Sequence, residues 1–186
     1  MKRLLLFGAL AACLAGCVAG ADIPRTAPEL TIALPGGKEA KLSDYKGNVV
    51  IVVFFLTTCP HCQRTTQNLV GIEKDFGPKG LRVLEGALDD NPDIPQFVQR
   101  FQTNFPVGAV DRLTAAGYMQ LSPMVRNSVP FMLFVDRKGV IQAQYTGGDD
   151  FLLNEGAQDQ KIRAEVQELL GKSAAKPSST GRKHTT

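Results

Sequence analysis

The residues with most capacity for chemistry in this chain are Cys59-Pro60-His61-Cys62. Two thiols three positions apart can close a disulfide or present soft ligands to a metal ion. They follow Val49 to Leu56, eight apolar residues in a row, which reads as a strand buried on both faces. They open a polar segment, Pro60 to Phe76, with apolar residues at Leu69, Val70 and Ile72 and a Gly77-Pro78 stop, which reads as a helix. At such a junction Cys59 falls in the helix N-cap region, where free backbone N–H groups and the positive end of the macrodipole favour a thiolate. Pro60 suits the first helical position because no N–H is needed there. His61 can add positive charge or a donor close to the sulfur, and Cys62 lies a turn further in, less exposed.

The elements that must hold this turn are legible on either side of it. Leu30 to Leu34, a turn at Pro35-Gly36-Gly37, and Ala40 to Leu42 suggest an N-terminal β-hairpin. After the helix come a strand around Leu81 to Leu88, a turn at Asp89 to Pro92, and a helix around Ile94 to Phe105 with apolar spacing at Phe97, Val98, Phe101 and Phe105. This alternation is that of βαβ units. Val107 to Val110 is a short strand and Leu113 to Leu121 a short helix. Phe131 to Val135 and Val140 to Tyr145 form a hairpin around Asp136 to Gly139, and Gln158 to Leu170 is a final helix.

The chain ends are of a different kind. Lys2 and Arg3 precede an apolar, small-residue run from Leu4 to Leu14, too short to span a bilayer and consistent with an export signal over residues 1–16. Leu14-Ala15-Gly16-Cys17 resembles a bacterial lipobox, which implies acylation of Cys17; Ala19-Gly20-Ala21 also fits ordinary cleavage after a small residue. Residues 17–28 read as a linker, 29–171 as the folded domain and 172–186 as a disordered basic tail. The whole chain has 21 basic and 18 acidic residues; without Lys2, Arg3, Lys172, Lys176, Arg182 and Lys183, residues 17–171 hold 15 and 18, about −3. Such a balance argues against nucleic acid as a partner.

Beyond the CxxC tetrapeptide, Val129-Pro130 precedes the strand Phe131 to Val135, Arg137-Lys138-Gly139 turns the hairpin, and Gly147-Gly148 follows it. Together these resemble the thioredoxin superfamily. The 68 positions from Cys62 to Pro130 leave room for an inserted helix and strand, as in the TlpA/ResA-like branch of extracytoplasmic thiol:disulfide oxidoreductases. The resemblance implies an α/β thioredoxin fold, a central mixed sheet flanked by helices, with an N-terminal β-hairpin and an αβ insertion before the cis-proline loop. It implies Cys59 as nucleophile and Cys62 as the resolving thiol. Val129 and a cis Pro130 would face Cys59 and pair with substrate backbone. It further implies protein thiols and disulfides as substrates, a membrane redox partner, a lipid-tethered monomer outside the cytoplasm, and no cofactor beyond the Cys59–Cys62 disulfide.

Thr58 stands where many relatives have Trp. Val53 and Thr65 stand where the family often buries a carboxylate, six positions before the first cysteine or three after the second. The expectation is therefore that no internal carboxylate opposes a thiolate. The tetrapeptide resembles that of DsbA-type oxidases, so the couple is expected to be more oxidising than thioredoxin's.

Three rival readings weigh less. A structural staple is disfavoured because a four-residue loop restrains little unfolded-chain entropy. A copper- or zinc-binding thioredoxin-like module would use Cys59, Cys62 and His61, but the domain has no further cysteine or histidine; Met119, Met124 and Met132 read as packing residues. A peroxiredoxin-like thiol peroxidase is suggested by the opening from Leu30 through Phe55, yet the proline and threonine that family expects are replaced by Val52 and Leu56.

Overall fold

A computed structural model describes residues 21–121 and 128–172 of this chain. The signal segment, the lipobox with Cys17 and the tail beyond Lys172 lie outside the described residues. Among those described, no helix is long and apolar enough to cross a membrane.

The strands are β1 (Arg25–Thr26), β2 (Thr31–Leu34), β3 (Lys38–Lys41), β4 (Val49–Phe55), β5 (Leu81–Ala87), β6 (Val107–Ala109), β7 (Phe131–Val135) and β8 (Val140–Tyr145). The helices are α1 (Pro60–Phe76), α2 (Ile94–Phe101), α3 (Arg112–Met119), α4 (Asp150–Leu153) and α5 (Gln158–Lys172). All the strands join one mixed sheet in the order β1-β8-β7-β4-β5-β6-β2-β3. β4, β5 and β6 run parallel, and the other pairings are antiparallel.

β4 lies between β5 and β7, and all of its residues are buried, which explains its unbroken apolar sequence. Because strand side chains alternate between faces, Val49, Ile51, Val53 and Phe55 enter one core and Val50, Val52 and Phe54 the other. The first core is closed by α1, α2 and α5 through Leu69, Ile72, Phe97, Phe101, Ile162 and Val166. The second is closed by the β2–β3 hairpin and by Ala115, Tyr118 and Met119 of α3. Gly36 and Gly37 adopt φ of 75° and 73° in the hairpin turn, which favours glycine over any side-chain-bearing residue.

Several boundaries differ from the sequence reading. Arg25 and Thr26, assigned above to the linker, form β1 and pair with Ile141 and Val140. An edge strand this short has no pattern to betray it, because its place comes from the partner strand. The helix expected to reach Phe105 stops at Phe101, where Gln102 turns left-handed at φ 51°. Phe105 is still buried, reached from the loop rather than from the helix face. α4 was not anticipated; a single turn in Asp150–Leu153 is too short to show helical periodicity.

Candidate active site

Cys59 is the N-cap of α1, with extended backbone at φ −78° and ψ 119°, and Pro60 is the first helical residue. The Cys59 carbonyl accepts the first helical bond from Gln63 N–H at 3.0 Å, while its own N–H donates to Leu56 at 3.1 Å. Two side chains fasten the loop ahead of it: the Thr57 N–H donates to Asp89 Oδ2 at 2.8 Å, and Gln63 Nε2 donates to the Thr57 carbonyl at 2.7 Å. The turn is thereby anchored to the ends of both β4 and β5. Cys59 is partly exposed and Cys62 is buried, and both are free thiols. Burial drives the Cys62 thiol strongly up from its ordinary range, and its hydrogen bond with the Cys59 sulfur pushes the same way.

The Val129–Pro130 peptide is cis. Val129 packs against both cores, one of which Cys59 also borders. Its loop is pinned from behind, because Gly147 N–H donates to the Ser128 carbonyl at 2.6 Å and a Cβ on Gly147 would lie 2.2 Å from the Val129 carbonyl oxygen. Only glycine allows that approach.

His61 is exposed, and its Nδ1 lies 3.1 Å from Oε1 of Glu155, whose other oxygen lies 3.0 Å from Arg64. The expected partner of the imidazole was the Cys59 sulfur, so Glu155 and Arg64 are additions to the site. Buried Gln158 takes Asn68 Nδ2 at 2.8 Å and donates to the Leu152 carbonyl at 2.9 Å, fixing the start of α5 against α1.

The expectation that no internal carboxylate lies near the cysteines needs correction. Val53 and Thr65 are indeed buried without charge, but the cross-strand partner of Val53 on β5 is Glu85, which is fully buried. It alternates in phase with Leu81, Val83 and Ala87, all members of the core that contains Cys62. The Thr66 hydroxyl lies 3.0 and 3.1 Å from the two Glu85 oxygens and 3.2 Å from the Cys62 carbonyl. A hydroxyl has one proton to give. When Glu85 is ionised, Thr66 donates to it; when Glu85 is protonated, its O–H can donate to Thr66, which then donates to the Cys62 backbone carbonyl. Burial without a compensating cation pushes the Glu85 carboxyl up to about 8, against the lowering effect of Thr66. A sequence signal existed in the lone acid of Leu81-Arg82-Val83-Leu84-Glu85-Gly86-Ala87, in phase with three inward apolar residues.

Residues 23–150 match the AhpC/TSA family. The chain belongs to that family. Among curated proteins it is 24% identical over 123 residues to the thiol-disulfide oxidoreductase ResA of Geobacillus thermodenitrificans, covering 66% of this chain and 68% of that protein. Over a shorter stretch of 94 residues, 49% of this chain and 53% of the relative, it is 31% identical to ResA of Bacillus thuringiensis. Among solved structures, a putative thiol:disulfide interchange protein DsbE from Chlorobium tepidum superposes with a TM-score of 0.63 at 23% identity, covering 78% of this chain and 98% of that one. A thioredoxin-family thiol:disulfide interchange protein from Chlorobium tepidum TLS gives 0.65 at 21% identity, over 80% and 97%. The fold is the thioredoxin fold, with the β2–β3 hairpin as its N-terminal addition and α2, β6 and α3 between the active-site helix and the cis-proline loop.

Proposed function

We propose that this protein is an extracytoplasmic thiol:disulfide oxidoreductase that exchanges disulfides with protein thiols through the Cys59–Cys62 couple. The observation that carries the reading is the asymmetry of the pair, with Cys59 partly exposed at the N-cap of α1 and Cys62 buried one turn in. The free N–H groups of the first helical turn favour negative charge on the Cys59 sulfur. Cys59 thiolate attacks a substrate disulfide, forming a mixed disulfide and releasing one substrate thiolate. Cys62 then attacks the Cys59 sulfur, closing the Cys59–Cys62 disulfide and releasing the second. Two electrons pass to the substrate, and the cycle runs in reverse when the oxidised protein meets a substrate dithiol.

The backbone beside Val129-Pro130 is a fitting edge for a bound substrate segment, because it leads into β7 beside the end of β4 from which the Cys59 turn departs and is held by Gly147. Relatives named thiol-disulfide oxidoreductase support the same class of reaction. The apolar run of residues 4–14 and the lipobox ending in Cys17 support export and a lipid tether. A membrane redox partner would then renew the couple, with the domain acting as a monomer.

Equilibration with glutathione followed by thiol trapping tests the reading. One two-electron couple that vanishes in Cys59→Ser is expected, together with loss of membrane partitioning in Cys17→Ser. A parent chain that exchanges no faster with a protein disulfide than a free dithiol does would overturn the assignment.

A further inference from the structure

A cavity of about 380 Å³ lies away from the thiols, where β4 begins, with Val50 and its cross-strand partner Val135 in its wall. The five residue steps from Val50 to Phe55 place it roughly 17 Å along β4 from the strand end that leads to Cys59. Val50 and Val135 are buried, while Leu42 and Tyr45 pack against the same core and are covered only in part. That side of the cavity is apolar. Charged side chains line the rest: Lys46, Arg137 and Lys138 with Glu29 and Asp136. Both carboxylates are already engaged by the protein. Glu29 Oε1 accepts from the N–H groups of Leu30 and Ser43 at 3.0 and 3.1 Å. Asp136 accepts from the N–H groups of Lys138 and Val140 at 2.8 and 3.0 Å and from Gln142 Nε2 at 2.9 Å. Among the described residues, no ion pair holds any of the three cations. Arg137 is the one held in place: its Nη2 donates to the Lys79 carbonyl at 3.1 Å, and Gly80 leaves room for the guanidinium, since a Cβ there would lie 3.2 Å from Nη2. Its Nε is buried without a hydrogen-bond partner. A buried N–H in that state calls for an acceptor that the protein itself does not supply.

We propose that this cavity binds an amphipathic monocarboxylate of the medium-chain fatty-acid class, with its hydrocarbon against Val50, Val135 and Leu42 and its carboxylate on Arg137. Concave, mostly apolar sites with a few placed polar groups are the usual form of small-ligand pockets, and this volume falls in their range. At roughly 30 Å³ for each water-sized group, the cavity holds about a dozen non-hydrogen atoms. A planar guanidinium meets a carboxylate with two parallel N–H groups, which a lysine cannot do. Three cations against two carboxylates leave one positive charge in excess, which matches a single negative charge on the ligand. A multiply charged phosphate would instead meet Glu29 and Asp136 as like charges. The assignment goes beyond the oxidoreductase reading and does not depend on it, because the cavity shares no residue with the active-site turn.

The test is titration of the full chain, carrying Cys17→Ser so that no detergent is needed, with sodium decanoate below its micellar range. Calorimetry reads the affinity, and amide NMR reads the place. Saturable one-to-one binding is expected, with shifts at Val50, Val135 and Gly139 and none at Cys59 or Cys62. Decanol should bind at least tenfold more weakly than decanoate, and Arg137→Gln should lose at least tenfold for decanoate but little for decanol. Ala27→Phe puts a ring into the cavity and leaves Arg137 in place, so it should abolish binding of both; it carries the test if urea melts show Arg137→Gln unfolded. Thiol–disulfide exchange should stay at the parent's rate in each folded variant. Equal affinity for decanoate and decanol overturns the carboxylate assignment, and binding of inorganic phosphate without decanoate overturns the apolar one. Absence of decanoate binding, or shifts away from the cavity, overturns the site while leaving the oxidoreductase reading intact. Dimerisation in sedimentation that Ala27→Phe removes would give the cavity to a second copy of the chain and likewise overturn it.

Discussion

At the scale of single residues, His61 stands between the two cysteines in sequence, yet its Nδ1 meets Glu155, which Arg64 holds from the other side. The imidazole can still lend a donor or charge to the Cys59 environment, but the Glu155 carboxylate paired with it works against it. A more stable thiolate stabilises the reduced protein and raises the reduction potential, by about 30 mV for each 1.4 kcal/mol. Exposed ion pairs contribute roughly 0.2 to 1 kcal/mol, which converts to about 5 to 20 mV. Glu155→Gln should therefore raise the potential by about that amount, and His61→Ala should lower it by a similar one. Glutathione equilibria of the two variants check this; a fall in Glu155→Gln would show that the carboxylate acts chiefly by orienting His61 and Arg64.

At the scale of elements, the site depends on three segments that meet at one end of the sheet: the β4–α1 turn, the Ser128-Val129-Pro130 loop and the Gly147-Gly148 turn after β8. The last two are in backbone contact at Gly147, where a Cβ would lie 2.2 Å from the Val129 carbonyl oxygen and 2.8 Å from that of Ser128. Neither backbone atom can yield as a flexible side chain would, so one segment must move. Gly147→Ala should cost roughly 1 to 3 kcal/mol and weaken exchange with protein substrates more than reaction with a small dithiol, because it disturbs the proposed substrate edge at Val129-Pro130 rather than the thiols. Urea midpoints and paired rate measurements decide this. Unchanged stability would mean that the loop relaxes freely and that the Gly147 contact does not hold it.

At the scale of the whole molecule, one buried and one half-buried carboxyl make stability fall as pH rises. Glu85 is pushed up to about 8 by burial, and Glu73 up to about 7 by burial that Arg82, 3.9 Å away, only partly offsets. For Glu85, the folded and unfolded chains are both protonated below about pH 4.5 and both ionised above about 8. Between those limits the unfolded chain has lost a proton that the folded chain keeps, so each step upward in pH favours unfolding. Glu85→Gln should remove this slope. Relative to the parent it should gain nothing near pH 4 and roughly 3 to 5 kcal/mol by pH 8, since each unit of difference is worth about 1.36 kcal/mol. Parallel curves of urea stability against pH for the two proteins would show that Glu85 is not protonated in the folded state.

Much of the site was legible before any coordinates. An unbroken apolar run, a CxxC with proline at its second position and a polar, periodic segment specify a buried strand, an N-cap thiol and a helix by local rules alone. Val129-Pro130 before an apolar strand was legible in the same way. What sequence could not assign was Glu85: it acquires a neighbour only when β5 aligns in parallel with β4 so that Glu85 faces Val53, and α1 then lays Thr66 and Cys62 over it. The same holds for Glu155, brought to His61 by the path of α4 into α5, and for Arg25 and Thr26, which become a strand because β8 offers an edge. Local propensity and spacing determined which residues could do chemistry. Register and packing between segments distant in the chain decided which charges surround them, because a cross-strand neighbour is set by the pairing of two strands and not by the sequence of either.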